Sequence, residues 1–127
     1  MANAMTKGGG YLSAAAARRD DEGSLTQVAV PEFAEDGQPP VIVYGRKPTP
    51  ADRATIERLS LDHETGKINQ AEAAVRTVIQ LACDESGARL FTVENAQFMR
   101  TKIDADVIEA LAFRLNAGLS LSAAKKN

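Results

Sequence analysis

Tryptophan is missing from this 127-residue chain, and aromatic residues are few: four Phe and two Tyr. Alanine, valine, leucine and isoleucine must therefore do most of the packing. Cysteine occurs once, which excludes an intrachain disulfide and fits a reducing compartment. Neither sign of charge dominates: 15 Lys and Arg face 17 Asp and Glu, for a net charge of −2, so no field draws the chain to nucleic acid or an anionic membrane. No apolar run approaches the roughly 20 residues of a membrane span. The opening "MANAMTKGGGYLSAAAARR" is interrupted by glycines and lacks the compact apolar stretch of a signal peptide. A soluble cytoplasmic protein is expected, with one domain over residues 11–118.

The order of local signals predicts an α+β fold, mainly helical, in which a small N-terminal β-hairpin is followed by about four helices. Residues 1–10 are expected to be disordered, because "KGGG" has maximal backbone entropy and nothing apolar beside it. "YLSAAAARR" (11–19) reads as a short helix. "LTQVAV" (25–30) and "VIVYG" (41–45) read as two strands, joined through a loop that holds Asp36-Gly37 and Pro39-Pro40. Thr49, Pro50 and Asp52 are the N-cap, first residue and third-position acid of a helix running to about Leu61. "DHETGKIN" (62–69) is a polar loop with Gly66 at a turn. Ala71, Ala74, Val75, Val78, Ile79 and Ala82 form one apolar stripe at helical spacing. Thr92 caps "VENAQFMRTK", whose buried face should hold Phe98 and Met99. A last helix starts near Asp104, carries Ile103, Val107, Ile108, Leu111, Ala112 and Leu115 inward, and stops at Gly118. Residues 119–127 are expected to be a flexible tail.

Candidate chemistry is thin. Cys83 would need a base in reach and surroundings that lower its pKa, but the one histidine, His63, sits in a polar loop and Asp84 and Glu85 push a thiol the other way. A small apolar residue ending a helix is the better reading. "DHE" (62–64) is a poor metal cage with no second Cys/His cluster, and "KGGG" lacks the strand and Ser/Thr of a phosphate loop. The acid runs at 20–22 and 84–85 lie in turn-like segments, where carboxyls keep ordinary acidity. No catalytic, cofactor or metal site is expected. What is left is surface: Phe113 falls off the apolar stripe of its helix, and Leu119 and Leu121 lie beyond Gly118, so these three are candidate partner contacts. Val41 to Tyr44 of the second strand are the alternative surface.

The succession "VAVPEF", "VIVYGRKPTPADRATIE", "LACDESGARLFTVENAQFMRTKIDADVIEALAFRLNAGLS" and "AAKKN" resembles the tail assembly chaperones of long-tailed (siphovirus-like) bacteriophages, over most of residues 25–127. "TPADR" is similar to the family's helix start, and "DESGARLFT" to its turn. Residues 1–10 lie outside the resemblance, and "GLSLSAAKKN" is less acidic than the family's end. It implies that the chain binds the tape measure protein and recruits tail tube subunits in the host cytoplasm before the tail polymerises, with possible self-association, no cofactor, and no place in the finished virion. It also implies that Lys125-Lys126 could mark a ribosomal frameshift into a longer product. In the family, the turn at Asp84–Gly87 is a structural joint anchored by buried Leu90 and Phe91. The alternative is a minor tail or tail-completion protein that stays in the virion.

Overall fold

The computed structural model describes residues 7–21 and 25–117. Its elements are α1 (Lys7–Asp21), β1 (Leu25–Val30), β2 (Val41–Arg46), α2 (Pro50–Ser60), β3 (Leu61–Asp62), β4 (Lys67–Ile68), α3 (Gln70–Leu81), β5 (Ala82–Cys83), α4 (Ala96–Lys102) and α5 (Ala105–Ala117). The class is α+β with mostly helical residues, but a helix comes before the hairpin. That helix starts at Lys7, so residues 7–10 of the segment expected to be disordered are helical. Each glycine there costs about 1 kcal/mol relative to alanine, yet extending an existing helix by one residue also gains one hydrogen bond. The Ala-rich run that follows propagates backwards through them. Residues 1–6 and Gly118, with the 119–127 tail, lie outside the described residues, as do the acidic side chains at 20–22.

β1 and β2 pair antiparallel in full register, from Leu25 against Arg46 to Val30 against Val41. Period-two alternation turns Thr26, Val28, Val30, Val43 and Gly45 inward, where all are buried. Gln27, Ala29, Ile42 and Tyr44 face the other way. β5 adds a third strand on the far side of β2, giving the order β1-β2-β5. After it the chain turns back at once. Asp84 N donates to Ala88 O at 2.8 Å and Leu90 N to Ala82 O at 3.2 Å, so residues 89–90 cover the outer edge of β5.

α3 and α5 pack together over the inner face of the sheet, and α2 and α4 flank α3. The core joins Val28, Val30 and Val43 to Val75, Val78, Ile79 and Leu81 of α3, Met99 of α4, and Ile108, Leu111 and Leu115 of α5. Gly45 matters here: a Cβ at this position would overlap Leu115 Cδ2 and lie 2.9 Å from Thr26 Oγ1. Only glycine lets α5 come so close to the strand.

Several expectations need correction. The 62–69 loop is a small hairpin, with β3 and β4 pairing Leu61 to Ile68 and Asp62 to Lys67, and Gly66 at φ +73° closes it. Phe98 is 60% exposed, because α4 buries Ala96 and Met99, three apart, and position 98 falls about 100° round the helix from Met99. Leu90 is 41% exposed rather than buried. Strand alternation explains it: the 84–88 turn brings 89–90 back as an extended segment, so Leu90 and Phe91 point to opposite faces. Phe91 is half-buried against the core, its ring 6.4 Å from that of Phe33 at 78°.

Candidate functional site

The acid-rich joint is structural in its geometry. Asp84 Oδ1 accepts from Ser86 N (2.9 Å), Ser86 Oγ (2.6 Å) and Ala88 N (3.0 Å), and Gly87 takes the φ of +89° that the turn requires. The Ser86 hydroxyl, followed by the Ala88 amide, holds the Asp84 carboxyl below its ordinary range. It is a fixed anion in water, with no raised pKa to make it a general acid. Thr92 then caps the next segment: its Oγ1 accepts from Glu94 N at 3.3 Å and Asn95 Oδ1 accepts from Thr92 N at 2.9 Å, starting a single 3₁₀ turn (Val93–Asn95) that runs into α4.

Cys83 is 1% exposed, opposite Tyr44 in the sheet. Burial pushes its thiol pKa up, and Asp84 adds to this against the opposing pull of Arg46. A thiol so placed is a poor nucleophile. His63 lies exposed in the β3–β4 turn, a different element from Cys83. Among the described residues, no three His, Cys, Asp or Glu groups converge as metal ligands, and no helix is long and apolar enough to cross a membrane.

Two charged clusters join elements in ways that the sequence does not show. Asp52, almost buried, accepts from Thr49 N (2.9 Å) and Gln80 Nε2 (2.9 Å) and pairs with Arg46, whose Nη2 also donates to Gln80 O at 2.8 Å. Burial by itself would raise the Asp52 pKa. The Thr49 amide, Gln80 and Arg46 together outweigh burial and hold the carboxyl well below the usual range. Glu72 accepts from Arg76 Nε (2.8 Å) and takes both Arg100 Nε (2.7 Å) and Nη2 (2.6 Å), which ties the start of α3 to α4. The Arg100 bonds come first among the causes that keep Glu72 ionised. Asp52 as a capping acid is legible from its spacing to Thr49. Its partner Gln80, 28 residues away in sequence, is not.

Both clusters are clamps between elements; the open surface lies elsewhere. Phe113 is 69% exposed on α5, as its place off the apolar stripe predicts. It stands at the rim of a groove between α3 and α5, about 340 Å³ in volume, whose walls include Ala73, Thr77, Glu109 and Asn116. Ala73 and Ala74 on α3 and the Phe113 ring on α5 make a shallow trough whose lining mixes apolar groups with Gln70, Thr77, Glu109 and Asn116. Val41 is 38% exposed at the start of β2, and Tyr44 is half-buried on the outer face of the sheet. α5 lies on the inner face. Phe113 and Tyr44 therefore belong to separate surfaces and form no common patch. Leu119 and Leu121 lie outside the described residues.

No protein-family model matches this chain, and neither a curated protein nor a solved structure matches it.

Proposed function

We propose that this chain is a bacteriophage tail assembly chaperone, which holds the tape measure protein and brings tail tube subunits to it in the host cytoplasm before the tail polymerises. The observation that supports the reading best is Phe113, a large aromatic left mostly exposed beside a trough between two packed helices. Such a trough suits a helical partner presenting apolar side chains three and four residues apart. "LTQVAV" forms a strand, "TPADR" a capped helix start, and Thr92 caps the segment after the turn. The chemistry of masking fits as well. Phe113 can give up its water only to a partner, whereas Leu111, Ala112 and Leu115 of the same helix are already spent on the core.

Co-expression with a tape measure protein, followed by pull-down and thermal melting, tests this. Phe113→Asp should fold, changing stability by about 0.5 kcal/mol or less, because the site is solvated. It should lose the partner, since a central aromatic anchor contributes about 2 kcal/mol or more to association. Leu111→Asp, by contrast, should be insoluble or molten, because its charge would be buried without a pair. Retained binding by a folded Phe113→Asp protein would move the interface to β2, at its exposed start at Val41 or on the outer sheet face at Tyr44. Failure of the unaltered chain to bind any tail protein would end the chaperone reading.

A further inference from the structure

Among the described residues, β1 is the open edge of the sheet: the opposite edge, β5, is covered by residues 89–90, and β1 pairs with β2 alone. Edge strands in stable monomers are normally blunted by a charge, a proline or a bulge within them. "LTQVAV" has no charge or proline over its six residues, and its pairing with β2 runs without a bulge. Alternate N–H and C=O groups of this strand point away from β2 and make no other backbone hydrogen bond among the described residues.

A groove runs beside this edge, between β1 and α5, with Val28, Val30 and Glu32 on one wall and Asp106, Ala110 and Arg114 on the other. Asp106, Ala110 and Arg114 are spaced i, i+4, i+8, so they form a single stripe along α5. Asp106 and Arg114 take part in no salt bridge among the described residues. Acid stands at one end, base at the other, and a small side chain between them.

The levels of the two elements can be matched. Leu115 packs at Gly45 and Thr26, which are partners across β1 and β2. Moving back five residues along α5 covers about 7.5 Å, at about 1.5 Å per residue. Two residues along β1 cover about 6.6 Å. Val28 and Ala110 line the same groove, and on this spacing we place them at about the same level.

We propose that two copies of this chain pair antiparallel through β1, about a two-fold axis perpendicular to the sheet that passes at Val28. Centring on a residue pairs Val28 with Val28 of the second copy and Thr26 with Val30, so inward residues meet inward residues and both helical layers lie on one side. The same axis sets the two α5 helices antiparallel across Ala110. Each Arg114 then faces Asp106 of the other copy, twice per dimer. The surface is complementary to itself, as a two-fold interface must be. The proposal stands on the β1 edge and α5 alone, whether or not the chain binds a tape measure protein.

Sedimentation equilibrium of the isolated chain, with thermal melting of every variant, tests it. The unaltered chain should dimerise in a concentration-dependent way, less strongly at high salt. Arg114→Asp places acid against acid at both ends and should weaken the dimer about tenfold or more. Asp106→Arg combined with Arg114→Asp exchanges the charges and should restore it. Gln27→Lys, at an exposed position on β1, should weaken the dimer while leaving the melt unchanged. A chain that is monomeric at all accessible concentrations overturns the proposal. So does a dimer indifferent to Gln27→Lys and to the Arg114 reversal, or a charge exchange that fails to rescue.

Discussion

Asp52 is the residue whose removal should cost this fold most outside its apolar core. Its carboxylate joins three elements: Arg46 at the end of β2 and the Thr49 amide at the start of α2, both near it in sequence, and Gln80 near the end of α3, 28 residues away. Asp52→Ala leaves Arg46 with only the Gln80 carbonyl, strips the Thr49 amide of its acceptor, and frees the Gln80 carboxamide. A hydrogen bond to a charged group contributes about 1.5–3 kcal/mol, and losing one partner of a fully buried pair costs about 3–5. The Arg46 side chain is one-third exposed, so water replaces part of what it loses. We expect about 2–4 kcal/mol by urea titration at neutral pH, against a total of about 5–15 for a domain of this size. Asp52→Asn keeps the shape and should lose less.

Acid separates the charge from the shape. The folded carboxyl is held below its unfolded value, near 3.8, so its contribution is complete above that value and disappears as pH falls through the folded one. The unaltered chain should therefore lose stability more steeply below about pH 4 than Asp52→Asn, and the two curves should converge in strong acid. An Asp52→Ala protein within about 0.5 kcal/mol of the unaltered one would refute the clamp. Acid profiles of equal steepness would assign the effect to shape alone.

Two further outcomes follow from packing. Gly45→Ala should destabilise by about 1–3 kcal/mol, because the methyl displaces Leu115 and with it the seat of α5; a melt unchanged from the parent would mean that α5 gives way freely. Phe91→Ala should cost only about 1–2 kcal/mol, the ring being half-buried with one edge-to-face partner, and Leu90→Ala should cost less still; a loss of 3 kcal/mol or more at Leu90 in a denaturant titration would contradict its exposed position.

Local chemistry was readable along the chain wherever a few neighbouring residues settle the outcome. Thr49-Pro50 with Asp52 starts α2, and Gly66 and Gly87 turn where a positive φ is needed. Two strands and the stripe of α3 came from periods of two and of about 3.6, and the exposure of Phe113 from its place outside such a stripe. Burial at an element's end was harder to read. Leu90 and Phe98 look like core from composition, and only the direction of the 84–90 turn and the rotation of α4 decide that they face water. β5 has two residues, too few for any period, and exists because β2 offers it an edge. The bonds that tie Gln80 to Asp52 and Arg46, and the groove that Ala110 shares with Val28, depend on distances through space between residues far apart in sequence. Sequence alone determined the capped start of α2, the alternation of β1 and β2 and the inward faces of α3 and α5, because hydrogen bonds within a turn and side-chain periodicity act over a few residues. Which charges meet, and which edge of the sheet stays open, were decided only when those elements packed.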